Sequence, residues 1–103
     1  MIYNTILEAM GHTPMIRLQR LCDPDAAEIL VKFEGLNVGG SIKTRTAYNM
    51  ILDAEKRGLL HEDTIIVEPT SGNQGIGLAL VGGALLGATA GPVSVGITLF
   101  IRT

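Results

Sequence analysis

At 103 residues and 10.9 kDa the chain is one domain at most, with room for a single modest core. Eight Lys and Arg against ten Asp and Glu leave a formal charge of -2 and a pI near 5.5. That balance offers no basic field to nucleic acid or to an anionic membrane surface, and the lone Cys22 excludes an intrachain disulfide or a multi-cysteine metal cluster.

The first ten residues carry Glu8 and no basic n-region, so they do not read as a signal peptide; with a single cysteine, the expected compartment is the cytoplasm. Asn4-Thr5 followed by Ile6, Leu7 and Met10 predicts a short helix with Thr5 and Glu8 as a capping box and Gly11 as its stop. Met15 to Leu18 is strand-like, Leu21 to Ala27 with Pro24 is a loop, and Ile29 to Phe33 is a second short strand. Glu34 to Gly40 is a glycine-rich turn. From Ser41 the period becomes helical: Ile42, Ala47, Met50, Ile51 and Ala54 define an apolar face, Asp53 and Arg57 an i,i+4 pair, and Gly58 the stop. Thr64 to Val67 is a β-branched run of the buried-strand kind, Glu68 to Gly72 a turn, and Asn73 to about Ala88 another helix. Strand, helix, strand, helix predicts an α/β fold: a right-handed βαβ unit, with a partial parallel sheet covered by helices. Val93 to Ile101 is a candidate third strand.

Charge is unevenly placed. No formal charge occurs from Ile76 to Ile101, a length that could span a bilayer, but Gly91-Pro92 divides the run into pieces too short to cross comfortably. A buried helix followed by a buried strand accounts for the same composition, and a small membrane-anchored protein is the lesser reading.

Two loop-to-helix junctions could carry chemistry. In Asn37-Val38-Gly39-Gly40-Ser41-Ile42-Lys43, Ser41 is the candidate N-cap, and Lys43 falls in the first turn, where the macrodipole opposes a cation. Imine formation with an aldehyde cofactor needs a neutral amine, which that field favours. A solvated lysine near a helix start is the competing reading, and position alone favours it, because electrostatic oddity is a weak indicator of function. The second junction is Thr70-Ser71-Gly72-Asn73-Gln74-Gly75. A helix N-terminus there presents backbone N–H groups surrounded by neutral polar side chains, which makes an anion pocket. An ordinary N-cap explains Ser71 and Gly72 but not the whole polar run, and both readings stay open. The glycine spacing matches neither a dinucleotide fingerprint nor a P-loop.

Four stretches together resemble the cysteine synthase family of pyridoxal-phosphate enzymes, whose fold type includes the tryptophan synthase β chain and threonine dehydratase. They are Ile6 to Leu18, Val31 to Asn37 with Ser41-Ile42-Lys43-Thr44-Arg45, Asp53 to Gly58, and Ile66 to Ala79. Order, spacing and wording agree across roughly residues 2 to 82. The resemblance implies an incomplete tryptophan synthase β-like fold. It also implies that Lys43 carries pyridoxal 5'-phosphate and moves the proton at the substrate α-carbon. Asn73 would hydrogen-bond the phenolic oxygen of the cofactor ring, and Thr70, Ser71, Gly72, Asn73 and Gln74 would bind the carboxylate of a small amino-acid substrate. The implied reaction is β-replacement or β-elimination on an activated serine in cysteine biosynthesis, by an intact enzyme that is a homodimer.

Thr44 stands where the family usually has aspartate, Val38 where it commonly has proline, and Gln74 where threonine is frequent. From Ala84 to Thr103 the wording no longer matches and reads as a divergent tail, an altered reading frame or a truncated gene. Residues 1–103 are accordingly expected to be the N-terminal part of one enzyme domain. The family's later glycine-rich phosphate loop has no counterpart in the sequence, so the chain alone is expected to be inactive. A non-catalytic remnant that binds a partner is the alternative.

Overall fold

A computed structural model describes residues 1–61, 63–70 and 72–86. Two short strands, β1 (Met15–Arg17) and β2 (Leu30–Lys32), are followed by a 3-10 turn at Glu34–Leu36 and two helices, α1 (Lys43–Lys56) and α2 (Asn73–Leu86). The mixed helix-and-strand class read from the sequence holds. The candidate strand Val93 to Ile101 and the uncharged run beyond residue 86 lie outside the described residues. No helix among the described residues is long and apolar enough to cross a membrane.

The pairing differs from expectation. β1 and β2 are antiparallel, with Met15 opposite Lys32, Ile16 opposite Val31 and Arg17 opposite Leu30. The ladder extends through Phe33 N–H to the Pro14 carbonyl (2.9 Å) and Leu18 N–H to the Ile29 carbonyl (3.0 Å). The parallel βαβ pairing is absent among the described residues. Thr64 to Val67 forms no ladder strand, and Ile65 and Val67 are exposed while Ile66 turns toward the core. A β-branched run encodes an extended backbone, but a ladder needs a neighbour alongside several residues, and among the described residues Ile66 makes only an isolated bridge. The short helix expected after Thr5 is likewise only a pair of turns. Glu8 N–H reaches the Thr5 carbonyl and Met10 N–H the Leu7 carbonyl, both at 3.2 Å; Thr5 Oγ1 accepts from Glu8 N–H (3.4 Å), half of the expected capping box, while Glu8 Oε2 accepts from Asn4 N–H (2.9 Å), one residue before the cap. So few residues cannot offset the cost of helix nucleation.

The core lies between the helices. Ala47 and Ile51 of α1 meet Leu78 and Val81 of α2, with Leu7, Tyr48, Leu60, Ile66, Leu80 and Leu85 packed around them. Ile42 and Met50, expected on the apolar face, are about half exposed. α1 has one helical neighbour, so its buried stripe narrows to Thr44, Ala47 and Ile51. The helices pass in opposite senses. Gln74 touches Met50, Gly77 lies against Lys43 and Ala47, and Leu80 reaches the space beside Gly39.

α1 ends as its sequence requires. Gly58 has φ +68°, its N–H donates to the Glu55 carbonyl (2.9 Å), and Leu59 N–H donates to the Ala54 carbonyl (2.9 Å), which is a Schellman closure. Gly58→Ala is expected to cost about 1 kcal/mol through the left-handed backbone alone, read as a lower urea midpoint. An unchanged midpoint would remove this glycine from the account of helix termination.

Candidate functional site

Lys43 is the first residue of α1 and its side chain is exposed. Its backbone is held from two sides. Ser41 Oγ accepts from Lys43 N–H (3.2 Å), the capping contact expected of Ser41, although the residue adjoining the helix is Ile42. On the other side α2 approaches so closely that a Cβ on Gly77 would stand 2.9 Å from the Lys43 carbonyl oxygen and 3.2 Å from Ala47 Cβ. Asn73 lies one helical turn before Gly77, about 6 Å along the α2 axis, and is exposed like Lys43. The start of α1 therefore lies against the second turn of α2, one turn from Asn73.

The loop before α2 is built around Thr70. Its buried hydroxyl oxygen accepts from both Gly72 N–H and Gly75 N–H, each at 3.2 Å, while Ile76 N–H takes the Gly72 carbonyl at 3.2 Å. Thr70 thus caps the helix start. The N–H groups of Asn73 and Gln74 find no acceptor among the described residues, which leaves them as first-turn donors. Nothing stands within 4 Å of a Cβ built on Gly72, so the loop has open space beside it. Gln74 turns elsewhere: its amide Nε2 donates to Met50 Sδ (3.6 Å), along α1. Ser71 lies outside the described residues.

A polar cluster that sequence reasoning missed supports the lysine junction. Arg45 Nε donates to Glu34 Oε2 (2.9 Å) and Arg45 Nη2 to Glu34 Oε1 (3.1 Å), a two-pronged contact. Thr13 Oγ1 also donates to Glu34 Oε1 (2.6 Å), and Asn37 Nδ2 to Glu34 Oε2 (3.3 Å). Thr13 and Asn37 are buried. Asn37 is three residues from Glu34, but Arg45 is 11 and Thr13 21 residues from it, too far for any local pattern to show. The only local signal was Asn37 ahead of a glycine pair, a turn signature. Thr44 and Val38, both departures from the family's usual wording, touch one another: Thr44 Oγ1 donates to the Val38 carbonyl (2.6 Å).

Hydrogen bonds from Arg45 first, then from Thr13, hold the Glu34 carboxyl below its ordinary range. A carboxylate with a lowered folded value contributes stability above its unfolded value, near 4.3, and loses it as pH falls through the lowered one. The melting temperature of the chain is expected to fall more steeply below about pH 4.3 than that of Glu34→Gln. Parallel melting profiles would refute the coupling. The exposed pairs Arg17 with Glu28 and Asp53 with Arg57 contribute little to stability by comparison.

The donor set suits one end of an aldehyde cofactor and its amino-acid partner: an exposed amine, an exposed amide one turn from the contact point, and first-turn N–H groups beside open space. The sequence model of a family described as pyridoxal-phosphate dependent enzyme matches residues 6–90, past Gly83, where the wording of the resemblance stops. A cysteine synthase of Flavobacterium sp. is 53% identical over 81 residues, 79% of this chain and 26% of that protein. An O-ureido-L-serine synthase of Streptomyces lavendulae is 49% identical over 83 residues, 81% of this chain and 25% of that protein. The crystal structure of a hydrogen sulfide-producing enzyme from Fusobacterium nucleatum superposes with a TM-score of 0.79 at 38% identity, covering 96% of this chain and 30% of that one. The chain spans about a quarter of the length of the curated relatives it matches.

Proposed function

Because the chain belongs to the family of pyridoxal-phosphate-dependent enzymes, we propose that it supplies the cofactor lysine and the substrate loop of a cysteine synthase-like β-replacement on an activated serine. Pyridoxal phosphate, the family's cofactor, supplies an electron sink for the substrate α-carbon when bound. Lys43 holds the cofactor through Nζ and moves the proton at that carbon. Asn73 donates to the phenolic oxygen of the cofactor ring. Thr70, Ser71, Gly72, Asn73 and Gln74 hold the substrate carboxylate, with the backbone N–H groups of the first α2 turn as the principal donors. The observation that supports this reading is the seating of Gly77 on the Lys43 carbonyl, which sets the backbone of the lysine-bearing helix start against α2, one turn from Asn73.

In this reading the chain is the N-terminal part of such an enzyme domain, with residues 84–103 a divergent tail; that it spans about a quarter of its relatives' length supports its being a part. Turnover is assigned to the intact cytoplasmic homodimer and not to these 103 residues alone. Titration with pyridoxal phosphate followed by an O-activated serine tests both halves. A lysine-bound absorbance band that changes when the amino acid is added is expected. No band overturns the cofactor half, and a band indifferent to the amino acid overturns the substrate half.

A second reading, a non-catalytic fragment that binds a partner, draws on the exposed apolar residues of the hairpin, Met15, Ile16, Leu30 and Val31. It predicts no preference of the cofactor for Lys43.

A further inference from the structure

Asn37 uses its whole hydrogen-bonding capacity inside the fold. Its Oδ1 accepts from Gly11 N–H (2.9 Å) and Val38 N–H (3.0 Å), and its Nδ2 donates to Glu34 Oε2 (3.3 Å) and to the Ser41 carbonyl (3.2 Å). An amide has two donor hydrogens and two acceptor lone pairs, so none is left over. The side chain is 5% exposed. It joins the end of the N-terminal turns, the Glu34 carboxylate and the two ends of the Val38 to Ser41 loop. Ser41 in turn receives Lys43 N–H on its hydroxyl, and Arg45, two residues past Lys43, is clamped on Glu34. Gly39 and Gly40, with φ of +82° and +75°, let the loop fold tightly enough for these contacts; a Cβ on Gly39 would run into the Thr44 hydroxyl.

We propose that Asn37, with the Glu34–Arg45 pair behind it, is a positioning residue for the Lys43 amine: it sets where α1 begins and so where Nζ can reach. The inference rests on the reading of Lys43 as the cofactor lysine and goes beyond it, since Asn37 touches neither cofactor nor substrate in that reading. Aspartate has nearly the shape of asparagine but no hydrogens for Glu34 and Ser41, and it sets a second carboxylate against the first. A flexible amine attached to a loosened helix start loses orientation, which is the part of reactivity that a scaffold supplies.

The test uses the full chain incubated with pyridoxal phosphate, then borohydride to fix the cofactor on whichever lysine holds it, and peptide mass mapping. Lys56, exposed at the far end of α1, is the internal reference. In the unaltered chain the Lys43-to-Lys56 labelling ratio is expected to be about tenfold or more, and in Asn37→Asp to fall to about threefold or less. A purely structural role would lower the melting temperature and leave the ratio in the folded chain unchanged. An unchanged ratio in Asn37→Asp with native circular dichroism therefore overturns the proposal. Where Asn37→Asp does not fold, Arg45→Lys is read instead: it keeps the charge and loses the fork on Glu34, and the ratio falls if the clamp positions the amine and holds if it does not. No preference for Lys43 in the unaltered chain is a different result, and overturns the cofactor-lysine reading itself.

Discussion

Lys43→Ala is expected to reduce the lysine-bound pyridoxal phosphate band by about tenfold or more while leaving the helical circular dichroism in place. The size of the effect follows from the lack of a substitute. Of the other two lysines, Lys32 has its Nζ on the Thr13 carbonyl (2.6 Å). Lys56 lies at the opposite end of α1, about 20 Å along the axis from Lys43. Stability is expected to change little, within about 0.5 kcal/mol, because the Lys43 side chain is exposed and alanine is the strongest helix former. Removal of a cation from the positive end of the helix dipole acts in the same direction. Binding is thus separable from folding at this position. An undiminished band in Lys43→Ala would transfer the cofactor to another amine and end the reading of this junction.

Gly77→Ala is expected to produce the largest loss of stability among the helix positions considered. Alanine gains about 1 kcal/mol over glycine in helix propensity, so the sign is decided by what the added methyl meets. At Gly77 it meets the Lys43 carbonyl oxygen at 2.9 Å and the carbonyl carbon at 3.1 Å, both backbone atoms that cannot rotate away. Overpacking of that kind costs about 1 to 3 kcal/mol and is relieved only by moving the helices apart. Gly83 on the same helix is the control. It is exposed, a Cβ there has nothing within 4 Å, and Gly83→Ala is expected to stabilise by up to about 1 kcal/mol. Urea titration of the two variants, followed by circular dichroism, should move the midpoints in opposite directions. If both moved upward, the helices would not approach as closely as Gly77 implies. Because the contact atom belongs to Lys43, Gly77→Ala is also expected to weaken the amine's capture of cofactor, whereas Gly83→Ala is not.

Which parts were legible in the sequence depended on the span of each interaction. The Asp53 and Arg57 pair and the Gly58 stop were readable because they involve residues at most five positions apart, and they appear at the expected positions. The Thr5 hydroxyl contact with Glu8 N–H was readable for the same reason, although the Glu8 carboxylate takes Asn4 N–H instead of closing the box and too few residues follow to form a helix. Helical periodicity and turn signals placed Lys43 and the Thr70 to Gly75 loop at two helix starts, and both helices start there. Arg45 was read only as part of a matched stretch. Its partner Glu34 lies 11 positions away and Thr13 lies 32 away, and no periodicity connects such positions. The Gln74 amide read as a carboxylate ligand lies on Met50, 24 positions earlier, a contact that exists only because α2 crosses α1.

By itself the sequence determined the limits of α1, the start of α2, the Gly58 stop and the residue types available at each loop, since all of these depend on backbone preference and on neighbours within a turn or two; the cofactor family was legible through the wording of four stretches. Tertiary structure alone decided that β1 and β2 pair antiparallel and that Thr64 to Val67 joins no ladder among the described residues. It also decided that Thr70 faces inward as a cap and that the amine-bearing helix start rests against Gly77. Those outcomes depend on which surfaces meet, and such meetings arise when distant segments exclude water together.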